Sequence, residues 1–152
     1  TGSYVRDKDG VDGAYMICEM FSYYATQGIS LLDRLDELYK TYGYCLNTLH
    51  SYEFDGSAGF ARMQSIMQAF RGGIKEFGGK KVVRLLDYVQ GLDGLPKSDV
   101  LKFLLEDNCS LVVRPSGTEP KLKIYISVSA ENKEMAEEVE DEIAKTAEKW
   151  IC

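Results

Sequence analysis

The chain has 152 residues, with 18 Lys and Arg against 24 Asp and Glu, a formal net charge of −6, and one histidine. That acid excess argues against a nucleic-acid surface, which needs clustered basic side chains, but leaves room for a local basic pocket that takes a small phosphorylated molecule. Hydrophobic residues make up 45% of the sequence, enough for a core, yet no run of about 18 apolar residues occurs and no membrane span is expected.

A chain of this length suits one full domain, or a small domain with part of another. Thr1 to Asp7 show neither the basic start nor the apolar stretch of a signal peptide, and no initiator Met precedes them. The expectation is an excised piece of a cytoplasmic protein. Cys18, Cys45, Cys109 and Cys152 lie far apart without a Cys-x-x-Cys pair, and His50 alone cannot complete a zinc site. Reduced thiols are expected, with Cys18 on an apolar helix face and Cys109 at a strand start, positions where buried free thiols are common.

In chain order, Asp9 or Asp12 can cap a first helix running to about Gln27, with Ala14, Ile17, Cys18, Phe21 and Ala25 on one face and Gly28 as its stop. Ser30-Leu31-Leu32-Asp33 resembles a capping box and starts a second helix carrying Leu31, Leu35, Leu38 and Tyr42, ended by Gly43. Two such amphipathic helices need further partners to bury their faces. Tyr44 to Phe54 is a β-like run. Gly56-Ser57 starts a helix with Phe60, Met63, Ile66, Met67 and Phe70 inward, ended by Gly72-Gly73. Val82 to Val89 and Val100 to Leu105 read as strands joined through Gly91 to Ser98. Ser110 to Val113 and Leu122 to Val128 read as two more, and a helix from about Asn132 to Trp150 carries Met135, Val139, Ile143, Ala147 and Trp150 on one stripe. The order from Tyr44 is β-α-β-β-β-β-α. It predicts an α+β fold: an antiparallel sheet of about four to five strands with helices on one face.

The most informative segment joins the last two strands: Arg114-Pro115-Ser116-Gly117-Thr118-Glu119-Pro120-Lys121. A tight loop there would aim Arg114, the Ser116 and Thr118 hydroxyls and several backbone amides at one point. Gly117 can take a positive φ and let amides converge into an anion nest. Arg114 adds a planar fork that matches phosphate oxygens two at a time. Strand periodicity puts Lys121, Lys123 and Tyr125 on one face and Leu122, Ile124 and Ile126 on the other. Lys123 then stands beside Arg114, while Lys121 reads as an outward solubilising charge.

The string Arg-Pro-Ser-Gly-Thr-Glu-Pro, between two strands and ahead of a C-terminal helix, closely resembles the phosphate-binding loop in the last domain of the α-D-phosphohexomutases. The resemblance implies a fourth, phosphate-binding domain over residues 44–152, with the TATA-binding-protein-like architecture of that family. It also implies that residues 1–43, through Tyr4-Val5-Arg6-Asp7-Lys8-Asp9-Gly10, are the last helices of the preceding sugar-binding domain. The implied substrate-phosphate residues are Arg114, Ser116, Gly117, Thr118 and Lys123, a position where relatives often carry a basic residue. In these enzymes a phosphoserine, a magnesium ion on an Asp-x-Asp-x-Asp loop and a sugar-selecting loop belong to earlier domains. No catalytic or metal residue, and no cofactor, is therefore expected within this chain, and magnesium is expected in the parent enzyme. The implied partners are hexose 1-phosphate, 6-phosphate and 1,6-bisphosphate and the remaining domains of the parent, with phosphoglucomutase favoured by Gly-Thr-Glu-Pro. A phosphomannomutase or phosphoglucosamine mutase piece, or a stand-alone phosphate-binding module, stays open.

Other patterns read more plainly. Asp7, Asp9 and Asp12 miss the calcium-loop template, since Val11 holds its fifth position and Gly10 comes fourth. Gly72 to Gly79 lacks the dinucleotide-binding order and reads as a helix exit and turn. His50 reads as a plain strand histidine, and the acids from Glu131 to Glu142 as a solvated helix face.

Overall fold

The computed structural model describes residues 8–151, and the chain divides into two compact units, one ending at Tyr42 and the other starting at Gly43. The first unit holds α1 (Gly10–Ala25) and α2 (Leu31–Tyr42). Asp9 supplies the N-cap of α1, its carboxylate accepting from the amides of Val11 at 2.9 Å and Asp12 at 3.1 Å. At α2 the Ser30 hydroxyl accepts from the Asp33 amide at 3.1 Å, and the Asp33 carboxylate accepts from the Ser30 amide at 3.0 Å. This is a reciprocal cap with Asp in the usual Glu position. No side chain of α1 or α2 is buried. Cys18, expected on a buried face, is exposed, like the rest of α1, which buries none of its residues.

The second unit is an α+β domain. Its elements are β1 (Tyr44–Glu53), α3 (Gly56–Arg71), β2 (Glu76–Phe77), β3 (Lys80–Asp87), β4 (Leu101–Leu105), β5 (Ser110–Pro115), β6 (Lys121–Ala130) and α4 (Lys133–Glu148). The strands form one antiparallel sheet in the order β1-β6-β5-β4-β3-β2. Six strands replace the expected four to five. The addition is β2, joined to β3 by Gly78 and Gly79, both at positive φ (54° and 74°), the conformation of a two-residue hairpin turn. Gly78 also lies against α4, where an added Cβ would come within 2.6 Å of the Glu142 and Ile143 backbone.

Alternation along β6 decides which face is covered. Leu122, Ile124, Ile126 and Val128 are buried, as are Leu111, Val113, Leu101 and Phe103 on β5 and β4. They pack with Met63, Ile66, Met67 and Phe70 of α3 and Ala136, Ile143 and Ala147 of α4, so both helices cover one face. Phe70, Phe77 and Phe103 meet as an aromatic cluster with ring centroids 5.1–6.3 Å apart. Three residues expected inward are instead exposed: Phe60, Met135 and Trp150. Each sits near a helix end on the flank of the stripe, and on α4 alanines at 136, 144 and 147 carry the close contact instead.

The acidic face of α4 is not wholly solvated. Glu140 is only 13% exposed and accepts from the Thr48 hydroxyl at 2.6 Å, with His50 Nε2 at 2.7 Å. This group ties α4 to β1. Among the described residues no helix is long and apolar enough to cross a membrane.

Candidate anion-binding site

β5 and β6 pair antiparallel from Ser110↔Ser127 to Pro115↔Leu122. The Ser116 amide then donates to the Lys121 carbonyl at 2.7 Å, leaving residues 117–120 as the connecting loop. The Phe54 amide donates to the Pro120 carbonyl at 2.9 Å, fastening the loop to the end of β1. Inside the loop, Ser116 Oγ accepts from the amides of Thr118 at 3.4 Å and Glu119 at 3.3 Å. With its lone pairs engaged by the backbone, the Ser116 hydroxyl keeps its proton for an outside acceptor.

The charges come from the strands. Arg114 and Lys123 are directly opposite each other in the β5–β6 register, on the face away from the helices. The next cross-strand neighbour of Lys123, on β1, is the neutral Ser51. Among the described residues neither Arg114 nor Lys123 has an ion-pair partner. Like charges facing each other across a strand pair repel, so this arrangement is unfavourable until an anion lies between them.

Arg114, Ser116, Gly117, Thr118 and Lys123 all line one recess of about 340 Å³, together with Pro115, Glu119 and Lys121. Two details differ from the sequence reading. Gly117 is not at positive φ. Nothing lies within 4 Å of where its Cβ would be, so its contribution is open room beside the backbone rather than a left-handed bend. Lys121 is not a simple outward charge, because it forms part of the recess wall and its Nζ is 2.7 Å from Glu53 Oε1. Its sequence signal was the two-residue spacing from Lys123, which places both on one strand face.

Among the described residues no three His, Cys, Asp or Glu side chains gather as a metal site. Asp7 lies outside the described residues. The glycine-rich segment after α3 is occupied by the β2–β3 hairpin and opens no helix.

A family model described as "Phosphoglucomutase/phosphomannomutase, C-terminal domain" matches residues 54–146. A phosphoglucomutase of Staphylococcus aureus (strain MSSA476) is 37% identical over 141 residues, covering 85% of this chain and 25% of the relative. A phosphoglucomutase of Staphylococcus saprophyticus is 31% identical over 139 residues, covering 84% of this chain and 25% of its own. This chain thus spans about a quarter of the length of the curated relatives it matches. Among solved structures, the open form of parafusin, a phosphoglucomutase from Paramecium, superposes with a TM-score of 0.58 at 17% identity. It covers 99% of this chain and 27% of that one, a likeness of fold. Motif, sheet and relatives agree: the chain belongs to the phosphoglucomutase/phosphomannomutase family, and its residues 54–146 match that family's C-terminal domain.

Proposed function

We propose that this chain is the C-terminal part of a cytoplasmic phosphohexomutase, a phosphoglucomutase by its relatives, and that its β5–β6 loop holds the non-reacting phosphate of the sugar phosphate. The observation that carries this reading is the Arg114–Lys123 couple, which has no ion-pair partner among the described residues, beside the Ser116 hydroxyl, whose oxygen already accepts two loop amides. Arg114 offers two parallel donors to phosphate oxygens, and Lys123 adds a point charge. Ser116 and Thr118 offer hydroxyl donors, while Gly117 leaves room for the ligand to approach the main chain.

The loop is a holding device. Among the described residues no three His, Cys, Asp or Glu side chains gather as a metal site, and this reading assigns phosphoryl transfer and any magnesium to other parts of the whole enzyme. Positioning alone cannot replace a phosphoryl donor. The isolated chain therefore should not convert glucose 1-phosphate into glucose 6-phosphate, and measurable turnover by pure protein would refute that. The three described cysteines are free, in keeping with a reducing compartment.

Calorimetric titration with glucose 6-phosphate and with glucose tests the holding role. One phosphate contact set supports about millimolar affinity, roughly 4 kcal/mol. The ester should bind in that range and glucose should not. Equal heats from both would place recognition on the sugar and contradict the reading.

A further inference from the structure

Lys121 stands between two recesses of opposite character. On one side it borders the Arg114–Lys123 recess. On the other it borders a second recess of about 340 Å³ whose wall includes Glu53, Asp55 and Glu119. Glu53 is directly opposite Lys121 in the β1–β6 register and, with 75% of its side chain exposed, holds the Lys121 ammonium at 2.7 Å. The hydrogen bond from Lys121 keeps the Glu53 carboxyl below the usual range. The same bond raises Lys121 above its own, so both partners stay charged. Of the three basic side chains on the anion recess, Lys121 alone is engaged by an acid among the described residues. A lysine ammonium on a flexible four-carbon stem can be shared between two oxygen partners without moving the backbone.

Resting on the reading of this loop as a phosphate site, we propose that Glu53 is a built-in competitor that holds Lys121 until a phosphate-monoester dianion takes the lysine over. The empty site then presents two uncommitted cations and the occupied site three. The exchange lowers resting affinity, because an entering anion must displace a carboxylate from Lys121. It also leaves that carboxylate ready to reclaim the lysine when the anion departs. Glu53 is therefore an affinity-setting residue that acts through Lys121 and does not itself touch the ligand.

Titration of inorganic phosphate into the full chain, followed by amide shifts at residues 114–118, tests this with Glu53→Gln, Lys121→Gln, the double variant and Asp55→Asn. An exposed ion pair is weak, so Glu53→Gln should tighten phosphate binding by about two- to fivefold. Lys121→Gln should weaken binding, and in its background Glu53→Gln should bring no gain. Asp55→Asn removes an equal charge from the same rim without freeing Lys121, and should tighten binding less than Glu53→Gln. A gain that survives in the Lys121→Gln background would reduce Glu53 to general repulsion and overturn the proposal. So would wild-type binding at residues 114–118 with no change in Glu53→Gln. Absence of any phosphate response at 114–118 in wild type and Glu53→Gln alike would instead overturn the phosphate-site reading on which the proposal rests.

Discussion

Replacing Ser116 by alanine separates the loop's shape from its grip on an anion. The side chain accepts two backbone amides, at 3.4 and 3.3 Å, on an exposed loop. Bonds that long and that wet contribute little, together at most about 1 kcal/mol, since water replaces them when they are lost. For a unit of roughly 110 residues that amounts to a fall in Tm of about 5 °C or less. Binding should respond differently. Donation from the Ser116 hydroxyl to a phosphate oxygen is a bond to a charged group, about 1.5–3 kcal/mol, which corresponds to about 10- to 150-fold in affinity. Starting from millimolar binding, Ser116→Ala should show no saturation with phosphate below about 10 mM, while Ser116→Thr, which keeps the hydroxyl, should recover much of it. The assay is a phosphate titration beside a thermal melt of the same samples. Binding of Ser116→Ala within twofold of wild type would refute the outward donor. A collapse in Tm would show that the hydroxyl serves the fold instead.

Arg114→Lys keeps the charge but loses the planar fork, and should weaken glucose 6-phosphate binding by about tenfold in calorimetry; unchanged affinity would mean the site needs only a point charge. Gly78→Ala combines a left-handed backbone with a Cβ 2.6 Å from the α4 main chain. It should cost about 2–4 kcal/mol, read as a Tm lower by at least about 8 °C, and a Tm within 2 °C of wild type would contradict the close approach. The amides of α1 and α2, which bury no side chain, should exchange with deuterium faster than those of β4 to β6; equal and strong protection in a monomer would contradict that.

Much of this architecture was legible from pattern alone. Alternation in β6 separated Leu122, Ile124 and Ile126 from Lys121, Lys123 and Tyr125, and that separation alone locates the helix-covered face. Helical spacing found Met63, Met67 and Phe70, while Ser30 and Asp33 marked the start of α2. The two-residue strand β2 was not legible, because two residues have no period to read. Nor was the place of Glu140, since nothing in a run of acids on α4 reveals which one faces Thr48 and His50 across the sheet edge. At the loop, residue types pointed to one recess, but the backbone angle of Gly117 and the Glu53–Lys121 bond depend on tertiary register. Cross-strand pairing between β1 and β6, 68 positions apart at Glu53 and Lys121, is invisible to local spacing.

The most direct test of the central claim follows every backbone amide of the labelled chain while glucose 6-phosphate is added. The account predicts that residues 114–118, with Lys121 and Lys123, shift first and along one saturable curve. Shifts concentrated on another patch while residues 114–118 stay still would contradict it.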